Sequence, residues 1–210
     1  MTLDHVTAWV LRSLYLRLTT RPHLSWLSTC TTLHLAESVG LHQEINDTQL
    51  EGDDPQRSLD GIELESRRRV FWVALSLNRI LSAEYGRSRV HVENISCRKP
   101  SRRRGDFTND LIALTDLLPG GDTQGNESAR GLAIANGLDQ LSQLAGDNPA
   151  FIILKADVCL ILCRRLRLTD LRLSTEQINS IMSILRMALV QARFLSEQRR
   201  LWWNVLRPVP

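Results

Sequence analysis

Lysine is almost missing from this 210-residue chain: Lys99 and Lys155 stand against 24 arginines. Nucleotide bias produces such a ratio as readily as selection for guanidinium chemistry, so the ratio assigns no function. Cysteine is sparse too. Cys30, Cys97, Cys159 and Cys163 are too few and too scattered for a disulfide framework, so free thiols are expected and the sequons at Asn46, Asn94 and Asn126 are expected to go unused. Long apolar runs are missing. The longest relevant stretch, Val70 to Leu77, is eight residues, against the roughly 18 needed to cross a bilayer, so no membrane association is expected. The opening Met1-Thr2-Leu3-Asp4-His5 puts an acid where a secretory signal needs positive charge, which predicts a cytosolic or nuclear protein. No G-x-G-x-x-G occurs, and Gly120-Gly121 is not followed by a P-loop lysine and helix start, which removes the common phosphate-cradling loops.

What is present describes a globular helical protein. Apolar residues make up 43% and charged residues 23% of the chain, and 26 basic against 23 acidic groups leave a formal charge of +3, too little to imply nucleic-acid binding by charge alone. Apolar spacing predicts a largely buried helix over 3–18, carrying Val6, Trp9, Val10, Leu14 and Leu18 with Leu11 and Tyr15 beside them. Pro22 opens a second helix whose apolar set is Leu24, Leu27, Thr31, Leu35 and Val39, ending at Gly40. From Glu44 to Glu65 eight acids face the single Arg57, which reads as a solvated acidic loop. A long central helix follows over 62–84, apolar on two faces, and Gly86 stops it. Further helices are expected over 107–118, 128–144, 150–168 and 175–203. The last opens with a capping box, Ser174 and Gln177, ahead of Ile178, Ile181, Leu185, Ala188, Ala192 and Leu195. No segment alternates with period two, so the expected fold is all-α, an irregular bundle of about seven helices.

Several constellations need weighing. Cys159 and Cys163 share a helix face, but no second pair completes a four-ligand zinc site, so they read as core. His34 and His42 have no nucleophile or carboxylate at a motif spacing, so no catalytic residue is assigned. Arg98, Lys99, Arg102, Arg103 and Arg104 form a basic run in a Pro/Gly segment: a nuclear import signal, a phosphate-binding patch or a solvated loop. Arg67, Arg68 and Arg69 point in widely separated directions from one helix, which predicts a structural charge clamp with Glu63, Glu65 and the acidic loop before them as available partners. An anionic ligand or partner is the alternative.

These features occur in an order that resembles the fungal-specific transcription factor domain, the middle homology region of fungal zinc-cluster (Zn2Cys6) regulators. The resemblance rests on Leu35, Ala36, Gly40, Leu41 and His42 closing the second helix. An acidic loop follows, then Glu65, Arg67, Arg68, Arg69, Phe71 and Trp72, then Arg79, Ser82, Gly86 and Arg87, and then Pro100. It covers roughly the first half of the chain. Two positions depart from the family pattern: Asn78 stands where an acid is frequent, and Ser88 where a proline is frequent.

The resemblance implies a helical regulatory region, nuclear location, control of RNA polymerase II genes, and a six-cysteine zinc cluster N-terminal to the region in whole regulators. No C-x2-C pair exists here, so neither zinc nor direct DNA reading is expected of this chain. The expected organisation is one helical regulatory domain over 1–210, part of a larger regulator. Within it lie a signature half (1–100) with the acidic loop 44–65, a variable basic and polar linker (101–130) and C-terminal helices (131–210). Expected partners are other domains of the same or a related factor, with a small-molecule effector possible between helices. The alternative is a stand-alone interaction module that pairs with full-length regulators; an enzyme is the third reading, with no residues to carry it. Trp202 and Trp203 near the end are expected to form an apolar interface.

Overall fold

The computed structural model describes residues 1–19, 21–45, 61–120, 127–169 and 171–197. Seven α-helices lie in this part: α1 (Leu3–Leu18), α2 (Pro22–Ser38), α3 (Gly61–Tyr85), α4 (Thr108–Asp116), α5 (Glu127–Gln143), α6 (Pro149–Leu166) and α7 (Thr175–Glu197). No strand occurs among the described residues, so the fold is all-α. The chain divides into two compact units, Met1–Ile112 and Ala113–Pro210, each taken by itself below. Most of the acidic segment, 46–60, and the tail from 198, with Arg200, Trp202 and Trp203, lie outside the described residues.

In the first unit α1 and α2 run antiparallel: the Ser38 hydroxyl meets the Met1 sulfur at one end and Ser13 meets Ser28 further along. The contact between them is not the apolar one the spacing predicts. Ser13, Ser25, Ser28, Thr29 and Thr32 are buried. The Ser13 hydroxyl donates to Ser28 at 2.9 Å, the Ser25 hydroxyl donates to the Ser13 carbonyl at 2.9 Å, and the Thr32 hydroxyl donates to the Ser28 carbonyl at 2.7 Å. Small side chains let the two backbones approach, and each buried hydroxyl finds a partner. The leucines face outward instead: Leu11, Tyr15 and Leu18 on α1 and Leu24 and Leu27 on α2 are all exposed. The expectation of a largely buried first helix is therefore corrected at Leu11, Tyr15 and Leu18, and the apolar set of α2 at Leu24 and Leu27. Val6, Val10 and Leu16 on α1, and Leu33 and Ala36 on α2, are buried, and Leu14, Leu35 and Val39 pack half-buried against the core as expected.

α3 is central as expected, with Phe71, Trp72, Leu75, Leu77, Ile80 and Leu81 buried. After α3 the chain returns alongside it without regular structure. Ser88 lies against Ser82, Val90 against Asn78, Arg98 against Trp72, and Ser101 against Glu65, so residues 88–101 form a strap running from the end of α3 to its start. Val92, Cys97 and Pro100 bury their side chains along it.

In the second unit α6 supplies most of the core through Phe151, Leu154, Val158, Cys159, Ile161, Leu162 and Leu166. Pro149 at the first turn and the Asn148 side chain, which accepts from the Ala150 N–H at 2.9 Å, start this helix. The Ser174–Gln177 capping box forms reciprocally, with bonds of 3.1 and 3.2 Å. α7 packs against α6 and α5. Its inner face is Ile184 and Ala188, while Ile178 and Ala192, expected inside, are exposed along with Met182, Leu189, Val190 and Phe194. By length and composition alone α7 is apolar enough to cross a membrane. Polar residues interrupt each of its apolar runs, so none approaches the roughly 18 residues of a continuous span.

Candidate functional site

The signature residues meet around α3 and the end of α2. Gly40 adopts φ +68°, the left-handed conformation that ends a helix, and has open space where a side chain would stand. The turn it permits sends the Leu41 N–H back to the Ala36 carbonyl at 2.9 Å and buries the Leu41 side chain. His42 follows, and its backbone carbonyl accepts the N–H groups of Ser96 and Cys97, both at 3.0 Å, which ties the strap to α2. These three positions are architectural. Gly86 repeats the device at the end of α3 with φ +63°, and Arg87, next in line, donates its N–H to the Ser82 carbonyl at 2.8 Å and lies over the Trp26 ring at 5.7 Å.

The three consecutive arginines go to three different places. Arg67 donates to the Val39 carbonyl at 3.4 Å. Arg68 binds Glu65 at 2.8 Å and also pairs with Glu44, whose carboxylate is almost enclosed and accepts the Arg98 N–H at 2.9 Å. Arg69 binds Asp106 at 2.5 Å, Glu65 at 2.9 Å and the Ser101 carbonyl at 3.0 Å. Glu65 additionally accepts from the Ser101 N–H and hydroxyl. The hydrogen bond from Arg68 holds the Glu44 carboxyl below its ordinary pKa. Burial pushes Glu65 and Asp106 up, but the bonds from Arg68 and Ser101 to Glu65, and from Thr108 and Arg69 to Asp106, outweigh it and leave both lowered. The predicted charge clamp is present: Glu65 and Glu44, at the start of the acidic loop, are partners as expected, and Asp106, outside that loop, is added. Glu44 was expected in a solvated loop; it is instead enclosed, because a bidentate guanidinium and a backbone amide replace its water.

The basic run is tied down at its start. The Arg98 carbonyl accepts the Trp72 indole N–H at 2.9 Å, and the Lys99 ammonium sits 5.6 Å from the Trp72 ring centre. Arg102, Arg103 and Arg104 are exposed, Arg102 reaching Asp110 at 3.6 Å with 80% of its side chain open to solvent. Arg79 is half-buried on α3. Its neighbour Asn78 is a hub that sequence reasoning treated only as a departure. Fully buried, it donates to the Thr29 hydroxyl at 3.3 Å and the Cys30 sulfur at 3.6 Å and accepts the Val90 N–H at 3.1 Å. At the other departure, the Ser88 carbonyl accepts from the Ser82 hydroxyl at 2.9 Å and the Trp26 indole at 3.1 Å. Both exceptional positions thus fasten the start of the strap.

In the second unit Cys159 is buried and Cys163 half-buried, as expected of core thiols. Hydrogen bonding from Cys159, opposed by burial, lowers Cys163 to about 7, while Cys159 is raised. Lys155, buried on the same face, donates to the Leu144 carbonyl at 2.6 Å and the Ser142 carbonyl at 3.4 Å, closing the C-terminal end of α5. Among the described residues no group of three or more His, Cys, Asp or Glu side chains is placed to hold a metal ion.

The signature residues around α3 thus tie α2, α3 and the strap together, and sequence comparison gives them a family. The model of the fungal specific transcription factor domain matches residues 1–204. The chain belongs to that family. It is 39% identical over 207 residues to protein RDR1 of Saccharomyces cerevisiae, covering 98% of this chain and 37% of the relative. It is 37% identical over 203 residues to transcription factor kojR of Aspergillus flavus, covering 97% and 36%. A probable transcriptional repressor of Schizosaccharomyces pombe is 29% identical over 195 residues, covering 92% and 40%. The chain therefore spans well under half the length of these relatives. No solved structure matches it. The family resemblance drawn from the first half of the chain holds, and it extends through the C-terminal helices as well.

Proposed function

We propose that this member of the fungal transcription factor domain family is a regulatory, non-DNA-binding region that controls RNA polymerase II transcription from the nucleus. It acts through other domains of its factor, a related factor or a small metabolite. The family match over both units carries the reading. The signature arginines Arg67, Arg68 and Arg69 support it, because they are spent on intramolecular carboxylates and carbonyls rather than held out toward phosphates. The reading assigns no catalytic activity and no cofactor to these residues; zinc belongs to a cluster carried elsewhere in a whole regulator.

The alternative, a stand-alone interaction module, draws support from the outward leucines of α1 and α2, since exposed apolar stripes favour partners. A reporter assay separates the two readings. The chain alone is expected neither to retain promoter DNA nor to change transcription, and fusion to a heterologous DNA-binding domain is expected to change reporter output. Specific DNA retention by the chain alone overturns the proposal. Output that changes only when a full-length regulator is co-expressed favours the module. Nuclear import is assigned to the exposed Arg102, Arg103 and Arg104; replacing all three with Ala is expected to abolish nuclear accumulation of a fluorescent fusion, and an unchanged distribution removes that role.

A further inference from the structure

The second unit contains a cavity of about 310 Å³ between the end of α4, the first two turns of α5 and the last turn of α6. That volume is ten times the share of a single water, about 30 Å³ in the liquid, and matches the lower range of small-molecule sites. Ile134, Leu168 and Pro119 give it apolar walls, and Arg165 and Arg130 supply guanidiniums against Glu127, the one carboxylate among its described lining residues. Arg165 is the informative residue. It is half-buried, and its Nη1 donates to the Pro119 carbonyl at 3.3 Å. No carboxylate among the described residues pairs with it, and burial alone lowers its pKa. A guanidinium carries five donors in a planar fork matched to a carboxylate, so most of this fork is unspent. The contrast within the chain is direct, since Arg68 and Arg69 each hold two carboxylates. Thr169, on the same wall, uses its hydroxyl proton on the Leu166 carbonyl at 2.8 Å, so an anion there meets the Arg165 guanidinium rather than this hydroxyl.

We propose that this cavity binds a small organic carboxylate, its carboxyl group on the Arg165 fork and its hydrocarbon body against Ile134 and Leu168. As an effector site this deepens, and rests on, the reading of the chain as a regulatory domain. An occupant would bridge the α4–α5 connection, α5 and α6, and so stabilise the second unit by mass action.

The test titrates 4-methylpentanoate, its neutral counterpart 4-methylpentanamide and inorganic phosphate into the isotope-labelled 210-residue chain, read by amide NMR shifts and thermal melting. The carboxylate is expected to shift the amides of Ile134, Leu168 and Thr169 saturably and to raise Tm, with the amide binding at least about tenfold more weakly because it forms no charge-assisted pair. R165M is expected to lose the response while melting within a few degrees of the parent without ligand, and R165K to retain a weakened one. R165Q serves if R165M fails to fold. Equal response to the amide, binding undiminished in the Arg165 variants, phosphate binding as tight as the carboxylate, or no response to any probe each overturns the site. The reporter fusion carrying R165Q keeps the two readings apart. Reporter control without carboxylate binding removes this inference alone, whereas carboxylate binding without reporter control removes the regulatory reading and leaves the site.

Discussion

Ser13 and Ser28 share a hydrogen bond of 2.9 Å at the centre of the α1–α2 contact, where a helical hairpin ordinarily packs leucines. Both are essentially without solvent exposure. Replacing Ser28 with Leu inserts volume into a seam built on close backbones, so S28L is expected to cost about 1–3 kcal/mol, as overpacked cores do. L27S, one residue away on the outer face, is expected to change stability by less than about 0.5 kcal/mol. Urea unfolding of the two variants measures both; the reverse order would place the leucines inside.

Asn78 links α2, α3 and the strap through three polar contacts in the core. Leucine has similar bulk but offers nothing to the Val90 N–H or the Thr29 hydroxyl. N78L is therefore expected to lose about 1–3 kcal/mol, the cost of leaving buried donors unmade. Amide exchange at Val90 should accelerate by a larger factor than exchange in α6.

The acid response follows from the clamp. Glu44, Glu65 and Asp106 all have folded pKa values below their ordinary ones. Depressed carboxyl pKa values contribute stability that is fully present above the unfolded values, near about 4, and is lost as pH falls through the lower folded values. Thermal stability of the first unit is expected to hold from neutral pH to about 5 and to drop below about 4. E65Q, which weakens bonds from Arg68, Arg69 and Ser101 together, should flatten that drop and cost about 1–3 kcal/mol at neutral pH. R102A, at a side chain 80% exposed, should do neither.

Gly40 tests the left-handed cap. With nothing within 4 Å of an added side-chain carbon, G40A meets no clash, and its whole cost is conformational, about 1 kcal/mol. G40N, which tolerates that conformation better, should recover part of it. Equal stability of the three proteins in a denaturant series would show that the turn does not need φ above zero.

Much of the candidate site was readable before any coordinates, for local reasons. Gly40 and Gly86 mark helix ends because only glycine takes that backbone cheaply. Ser174 and Gln177 bond across three residues, a spacing that requires no tertiary partner. Three adjacent arginines cannot share one ligand, so a clamp was foreseeable. The acidic loop offered Glu44, but Asp106 was not foreseeable: it lies 37 residues from Arg69, and no periodicity connects them. Arg165 looked like any helix arginine, since only the wall formed with Pro119 and Ile134 sets it apart.

The seven helices among the described residues, most of their ends and the family were thus legible in the sequence itself, because capping, proline and glycine effects and apolar periodicity act over a few residues. Which face of α2 and of the second half of α1 is inside was decided by tertiary structure. Periodicity reports that Leu24 and Leu27 share a face, but not that the facing helix offers Ser13 to their opposite side. A stripe of small hydroxyl side chains hydrogen-bonded within the seam packs closer than leucines can, so Leu24 and Leu27 were left to solvent.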